Sequence, residues 1–324
     1  MKAIIYTEYG SPDVLRFTDA ARPVPKDDQV LVKIRAAAIN PLDWHFLRGT
    51  PHLLRLIIGW RRPKNPGLGV DLAGEVEAVG KNVTRFRPGD AVFGMCRGAL
   101  AEYACAAERS LAPKPANVTF EQAAAVTVAA ISALQGLRDK GRVQPGQRVL
   151  INGAAGGVGT FAVQLARWLG AEVTGVCSTR NADLVRSIGA HHVVDYTRED
   201  FTQGGPRFDL ILDMIGNHSL AGLRRALTAK GVLVPVGAPD SGGWLEPLPG
   251  MIGSGIAALF MSQSLRPLLA RLSGPDLVVL QELLQTGKII PVIDRSYPLR
   301  EAPDAIRYLE TGRARGKIVI TVPG

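Results

Sequence analysis

Short apolar runs alternate with amphipathic stretches through the middle of the chain, from about residue 123 to residue 270. The apolar runs have the length and composition of parallel strands buried on both faces, and they cover 149–151, 172–177, 193–196, 208–213 and 231–237. The stretches between them have helical spacing, as at 181–188 and 220–229. This alternation predicts an α/β fold with a doubly wound parallel sheet.

The residues on either side of this central region follow other patterns. Up to about residue 122, Pro and Gly turns separate strand-like runs, which cover 1–6, 29–36, 74–80 and 91–93. Thr119 and Gln122 have the spacing of a capping box and predict a helix over 119–137. The last fifty or so residues predict two further helices and a closing strand, over 277–284, 303–310 and 317–322.

A glycine-rich turn joins the first central strand to its helix, and its residues are Ala155, Gly156, Gly157, Val158 and Gly159. A turn of this kind places backbone N–H groups and the positive end of a helix against a pyrophosphate. Ala154 replaces the first glycine of the usual G-x-G-x-x-G pattern, and a tight turn without a ligand would also use glycines. Because the turn lies between two strand patterns, we predict a dinucleotide site here.

The residues after the second central strand distinguish NADP from NAD. An NAD site usually carries a carboxylate there, which accepts hydrogen bonds from the ribose 2′-hydroxyl. Ser178, Thr179 and Arg180 occupy this position instead. Two hydroxyls and a guanidinium suit a 2′-phosphate and therefore predict NADP. A solvated arginine in a polar loop is the alternative interpretation.

Composition and charge narrow the class of protein. With 324 residues, 46% hydrophobic and 21% charged, the chain is long enough for two globular domains. Its least charged stretch, 245–265, is too interrupted for a membrane span, and no signal-peptide pattern opens the chain, so we expect a cytoplasmic protein without membrane contact. The net charge of +9 is dispersed, which argues against a nucleic-acid partner. Three cysteines without a C-x-x-C pair argue against a disulfide framework.

Four segments together resemble the medium-chain dehydrogenase/reductase superfamily, and within it the zinc-independent quinone oxidoreductases. They are GVDLAGEV at 69–76, FRPGDAV at 86–92, AGGVG at 155–159 and GKIVI at 316–320. The resemblance extends over essentially the whole chain. It implies a GroES-like substrate domain formed by residues 1–122 with 271–324, a Rossmann domain of residues 123–270, and an active site in the cleft between them. We also expect a homodimer.

The resemblance bears on metal and substrate as well. Zinc-dependent members present two cysteines and a histidine, and the corresponding places here hold Asn40, Val70 with Asp71, and the region 125–127, which implies no catalytic zinc. The neighbouring His191 and His192 lack an obvious third ligand. Without a metal, hydride from NADPH suits conjugated acceptors, so quinones and α,β-unsaturated carbonyl compounds of hydrophobic character are expected. The alternatives are a zinc-free alcohol, ketone or enoyl-thioester reductase, and a non-catalytic NADPH-binding sensor.

Individual residues match site positions of the family. Asn40 and Asp43 match its N-x-x-D segment beside the nicotinamide. Asn40 would bind nicotinamide or substrate, and Asp43 would support the loop, with a role as a catalytic base as the alternative. His45 is a candidate proton donor, or a structural histidine. The other matched cofactor positions are Thr127, Tyr196, Gly216, Val236, Gly237 and Lys317. Asn40 as a turn cap, Thr127 as helix packing and Tyr196 as a strand-end aromatic are the structural alternatives. The segments 51–66 and 241–265 match the family least and would shape a pocket or a dimer contact.

Overall fold

The computed structural model of the chain describes residues 1–237 and 263–323. Contacts divide it into two units, Met1–Ile131 with Leu272–Gly324, and Ser132–Arg271. The sequence predicted a boundary between residues 122 and 123, whereas this division falls between residues 131 and 132. Most of the segment 241–265 lies outside the described residues. Within the described ranges, no helix has the length and apolar character needed to cross a membrane.

The strands and helices are numbered in chain order. The strands are β1 (Lys2–Ile5), β2 (Arg16–Asp19), β3 (Gln29–Ile39), β4 (Asp71–Val79), β5 (Ala91–Met95), β6 (Tyr103–Ala107), β7 (Leu111–Pro113), β8 (Arg148–Asn152), β9 (Glu172–Cys177), β10 (His192–Asp195), β11 (Phe208–Asp213), β12 (Leu227–Pro235), β13 (Ser264–Leu265), β14 (Ile293–Pro298) and β15 (Lys317–Thr321). The helices are α1 (Pro41–Arg48), α2 (Arg55–Ile58), α3 (Phe120–Ala124), α4 (Thr127–Leu134), α5 (Gly157–Trp168), α6 (Ala182–Ser187), α7 (Leu220–Ala226), α8 (Gly274–Gln285) and α9 (Ala302–Glu310).

The unit that contains both ends of the chain is β-rich, as predicted. Its main sheet has seven strands, in the order β14-β15-β3-β4-β5-β7, with β6 also paired to β3. β3 has eleven residues and pairs antiparallel with β15, β4 and β6, so it is the central strand. Val32, Ile34 and Leu72 are buried between this sheet and the elements that cover it. Because β15 pairs with β3, residue 317 lies beside residue 39, and the two ends of the sequence build one site.

Helix α1 starts where β3 ends and was not predicted from the sequence. Asn40 is extended, with φ −128° and ψ 157°, and Pro41 follows at the first helical position, where proline needs no N–H partner. Gly49 ends the helix in the left-handed conformation, at φ 61°. The start and stop signals were therefore present, in a segment of only eight residues.

The unit Ser132–Arg271 contains the predicted doubly wound sheet. Its six parallel strands have the order β10-β9-β8-β11-β12-β13, which is the 3-2-1-4-5-6 order of a Rossmann fold when counted from β8. Leu150, Val176 and Ile211 are at most 1% exposed, because helices cover both faces. β9 and β11 have the predicted bounds.

Two predicted helices were wrong in extent. The stretch 119–137 is divided into α3, α4 and a π-helix over Gln135–Gly141. A Cβ on Gly136 would lie 2.8 Å from Leu212 Cδ1, so this turn packs its backbone closely against β11. The predicted helix 220–229 ends at Ala226, because Leu227 is buried and pairs with Phe208 as the start of β12.

Candidate functional site

The glycine-rich turn presents the N-terminus of α5 without a side-chain cap. Gly156 is the N-cap residue, and the first bond of the helix runs from Thr160 N–H to Gly156 O at 3.0 Å. The N–H groups of residues 157–159 precede that bond and point out of the helix end. A helix end of this kind is an anion site, since its N–H groups and its dipole both favour negative charge.

Gly156 and Gly159 have different reasons to be glycine. A Cβ on Gly159 would lie 2.1 Å from Gly153 O, so the turn itself excludes a side chain there. Within residues 1–237 and 263–323, a Cβ on Gly156 would meet only Gly153 O, at 3.4 Å, and the φ of −83° suits any residue. Gly159 is therefore required by the turn, whereas the protein leaves room in front of Gly156.

A second set of polar groups lies at the same carboxyl edge of the sheet, where β8 and β11 end. Asn152 donates from Nδ2 to Asp213 Oδ1 at 2.9 Å and to Asn217 Oδ1 at 3.0 Å. The N–H groups of Ile215 and Gly216 also donate to Asp213 Oδ1, each at 3.0 Å. These bonds fix the turn that contains Gly216, and ligands bind at this edge of such sheets. Sequence reasoning missed Asn152, Asp213 and Asn217, although a polar residue that ends a buried strand was a usable signal.

The same edge continues through Val236 and Gly237, after β12. Val236 N–H donates to Asp213 O at 2.8 Å, so the strand end is held beside β11. Gly237 has φ 89°, and among the described residues none would lie within 4 Å of a Cβ there. Both residues lie where the sequence placed them, at the carboxyl end of a parallel strand.

The turn after β9 carries the residues expected to select the dinucleotide. Ser178, Thr179 and Arg180 follow the end of β9, and the exposed Tyr196 follows β10. Asp195 pairs with Cys177 in the parallel register, and it accepts a hydrogen bond from the Thr179 hydroxyl. A carboxylate is therefore present at this edge after all. It belongs to β10, the next strand of the sheet, whereas the prediction of the coenzyme considered only residues 178–180.

In the other unit, a buried network connects Asn40, Asp71 and Lys317, all at most 2% exposed. Asn40 Nδ2 donates to Asp71 Oδ2 at 2.9 Å. The Lys317 ammonium donates to Asn40 Oδ1 and, at 3.2 Å, to Ile39 O, and it lies 3.5 Å from Asp71 Oδ2. Asp71 Oδ1 accepts from Val128 N–H at 3.1 Å. The network therefore fixes the amide of Asn40 in one orientation and ties it to the start of α4.

Burial and pairing act in opposite directions on the two charges of this network. Burial raises the pKa of Asp71, and the nearby Lys317 ammonium and the bond from Asn40 lower it. Burial lowers the pKa of Lys317, and the attraction of Asp71 and Asp43 raises it. Since Asp71 accepts from three donors and Lys317 donates to three oxygens, we assign both as charged.

Asp43 is the second buried carboxyl group of this region. Its Oδ2 accepts from Asn40 N–H at 2.8 Å, which supports the loop between β3 and α1 as predicted. In the described part of the chain, Asp43 Oδ1 has no hydrogen-bond partner. Burial, the largest effect, together with the like charge of Asp71 raises the pKa of Asp43 to about 7. The carboxyl group with one unpartnered oxygen is thus the one that holds a proton near neutrality.

His45 and Thr127 flank the same network. His45 Nδ1 lies 2.9 Å from Thr50 O, and because a carbonyl only accepts, the proton is on Nδ1. This bond closes the end of α1, which is a structural task. Thr127 is fully buried, and within residues 1–237 and 263–323 its hydroxyl has no partner. An orphaned buried hydroxyl at the start of α4 is consistent with a ligand contact.

Comparison with known proteins identifies the family. Residues 26–116 match the profile described as alcohol dehydrogenase GroES-like domain, and residues 188–320 match the one described as zinc-binding dehydrogenase. The chain is 34% identical to quinone oxidoreductase of Sus scrofa, over 99% of this chain and 97% of that protein. The chain belongs to the quinone oxidoreductase-like members of the medium-chain dehydrogenase/reductase superfamily.

Other members of this superfamily are similarly related. The chain is 35% identical to 2-methylene-furan-3-one reductase of Solanum lycopersicum, over 99% of this chain and 79% of that protein. The crystal structure of Escherichia coli quinone oxidoreductase complexed with NADPH aligns with a TM-score of 0.83 and 25% identity, covering 99% of this chain and 100% of that one. The match over nearly the full length confirms the GroES-like and Rossmann fold classes.

The name of one matched profile of the superfamily raises the question of zinc. Among the described residues, no group of three or more His, Cys, Asp and Glu side chains is arranged to hold a metal ion. Asp71 stands where zinc-dependent members carry part of their ligand set, and the Lys317 ammonium already balances its charge. These donors do not fit a zinc ion, which prefers thiolate and imidazole ligands in a tetrahedral arrangement.

Proposed function

We propose that this protein is an NADPH-dependent, metal-independent reductase of quinones and α,β-unsaturated carbonyl compounds. The observation that carries the proposal is the uncapped N-terminus of α5 at the glycine turn, followed at the end of β9 by Ser178 and Arg180. The relatives named quinone oxidoreductase and 2-methylene-furan-3-one reductase support the substrate class, and the relative complexed with NADPH supports the cofactor.

The residues that would hold the cofactor come from the glycine turn and from the ends of β9 and β10. The turn Ala155–Gly159 would bind the pyrophosphate through backbone N–H groups, and the open space at Gly156 would admit a phosphate. Ser178, Thr179, Arg180 and Tyr196 would surround the 2′-phosphate, and Thr127 and Asn40 would face the nicotinamide end. When bound, NADPH supplies the hydride.

The buried network would orient the reacting end of the site. Lys317 and Asp71 hold both ends of the Asn40 amide, which fixes the orientation of this side chain. Lys317 would therefore act as a positioning residue for Asn40, in addition to the cofactor contact that the resemblance implies. As an imidazolium, His45 would deliver the proton on Nε2 and keep the one on Nδ1, which is bonded to Thr50 O. A conjugated acceptor suits this arrangement because its developing charge is delocalised.

The test is oxidation of NADPH, followed by its absorbance, with 9,10-phenanthrenequinone and with an aliphatic enone. We expect turnover of at least one acceptor, and we expect dialysis against a chelator to leave the rate unchanged. Loss of activity in proportion to zinc removed would refute the metal-free reaction. Tight NADPH binding without turnover on either acceptor would instead support a sensor.

The 2′-phosphate site is tested by Arg180→Ala. Removal of one charge-assisted hydrogen bond should weaken NADPH binding by about 1.5–3 kcal/mol and leave NADH binding nearly unchanged. Both dissociation constants can be measured by cofactor fluorescence. Equal losses for the two cofactors would show that Arg180 does not contact the 2′-phosphate.

The glycine turn allows a matched pair of variants. Gly156→Ala should weaken NADPH binding at least about tenfold, because the methyl group takes the space in front of the helix end, while stability changes by less than about 1 kcal/mol. Gly159→Ala forces its Cβ against Gly153 O and should destabilise the protein itself. Cofactor titration and urea unfolding of both variants separate the two effects. Normal NADPH affinity in Gly156→Ala would contradict a pyrophosphate at this turn.

A further inference from the structure

The carboxylate of Asp195 is held at the edge where β9 and β10 end. Asp195 pairs with Cys177, so in this parallel pair the two strands end at the same level. Its Oδ2 accepts from the Thr179 hydroxyl. Its Oδ1 accepts from the Thr197 backbone N–H at 3.0 Å and from the Thr197 hydroxyl at 2.7 Å. Donors on two sides therefore fix this carboxylate beside the turn 178–180.

This arrangement changes what Thr179 can do. A hydroxyl has a single proton, and the proton of Thr179 is used by Asp195, so Thr179 presents only lone pairs to a ligand. Lone pairs accept from the 2′-hydroxyl of NADH, but they have nothing to donate to the phosphate of NADPH. The bonds from Thr179 and Thr197 also hold the pKa of Asp195 below its usual range, so the group is charged at neutral pH.

The same edge carries positive charge that opposes Asp195. Arg180 lies in the turn beside Thr179, and Arg198 Nε is 3.6 Å from Asp195 Oδ2. A guanidinium favours the 2′-phosphate and a carboxylate disfavours it, so the two kinds of charge compete at one position. Because attraction and repulsion of the 2′-phosphate oppose each other, the preference for NADPH over NADH is small.

We propose that Asp195 reduces the preference of this protein for NADPH over NADH, so that both coenzymes are used. Asp195 does this by accepting the hydrogen bond of the Thr179 hydroxyl and by placing a negative charge beside the 2′-position of the coenzyme. The inference rests on the proposed function and adds a specificity-determining residue to it. No reading of the segment 178–180 alone would include Asp195, because it belongs to the following strand.

The first test compares Asp195→Asn with a charge-matched control. We expect Asp195→Asn to raise the ratio of kcat/KM for NADPH over NADH about tenfold, mainly through a lower KM for NADPH. The control is Asp183→Asn, which removes a fully exposed carboxylate from α6, the next helix along the chain. This control should leave the ratio within about twofold, since an exposed charge is screened. A similar rise in both variants, or none in Asp195→Asn, would overturn the proposal.

The second test uses the coupling between Asp195 and Thr179. Thr179→Val should raise the KM for NADPH more in an Asp195→Ala background than in the otherwise unchanged chain. In the Asp195→Ala background the Thr179 hydroxyl no longer donates to Asp195 and can donate to the 2′-phosphate. Additive effects would contradict the proposed role of the hydroxyl. Thermal unfolding confirms that each variant is folded.

Direct binding of both coenzymes, measured by fluorescence, separates this inference from the proposed function. If the protein reduces no acceptor, the proposed function fails, and the ratio of the two dissociation constants still tests Asp195. If acceptors are reduced and the ratio does not move in Asp195→Asn, the inference alone fails.

Discussion

Lys317→Met should destabilise the β-rich unit by about 3–5 kcal/mol at pH 7, the cost of leaving one partner of a buried ion pair without its counter-charge. Methionine preserves most of the length of the lysine side chain, so packing changes little. Asp71 would lose its positive neighbour, and Asn40 Oδ1 and Ile39 O would lose their donor. Urea unfolding measures the loss. The kcat should fall as well, because the Asn40 amide is no longer fixed.

A surface ion pair is the control for this prediction. Lys81 Nζ lies 2.9 Å from Asp27 Oδ2, closer than Lys317 lies to Asp71, but both side chains are more than half exposed. Lys81→Met should therefore cost less than about 1 kcal/mol. Adding Asp71→Asn to Lys317→Met should recover part of the stability, because the uncompensated charge is then removed. If Lys317→Met is no more harmful than Lys81→Met, the network does not stabilise the unit.

The elements that could be predicted from the sequence are those whose pattern is local. β9 and β11 have the predicted bounds, because apolar runs buried on both faces are interrupted at each end by polar or glycine residues. The glycine turn could also be predicted, since its strand, glycines and helix are consecutive in the sequence. The π-helix over Gln135–Gly141 was not, because it depends on close packing of Gly136 and Gly141 against side chains of β11, far away in the sequence.

The site residues show the same limit. Asn40 and Lys317 are separated by 277 positions, and only the pairing of β15 with β3 brings them together. Sequence patterns could suggest each residue singly, but they could not show that Lys317 donates to Asn40. Asp195 and Thr179 are only 16 positions apart, but Asp195 ends β10, whereas Thr179 lies in the turn after the neighbouring parallel strand β9. Parallel pairing separates contacting residues by a whole crossover, so charge at such an edge cannot be read from one segment.

The pH dependence of stability should be dominated by Asp43. Its pKa is about 7 in the folded protein and about 4 in the unfolded chain, so the folded state binds the additional proton between these values. Stability therefore falls as pH rises from about 4 to 7 and levels off above that range, with a full change of up to about 4 kcal/mol.

Asp43→Asn tests this directly, because the amide imitates the protonated carboxyl group and cannot ionise. Unfolding free energies measured from pH 5 to pH 8.5 should decline in the wild-type protein and change much less in Asp43→Asn. The control is Asp19→Asn, which removes an exposed carboxylate whose pKa is lowered by its bond from Lys2. Ionised Asp19 stabilises the fold, so Asp19→Asn should not reduce the decline of the unfolding free energy toward higher pH. An unchanged slope in Asp43→Asn would show that Asp43 is ionised throughout this range. In that case, groups other than Asn40 and Lys317 would have to stabilise the negative charge on Asp43 Oδ1.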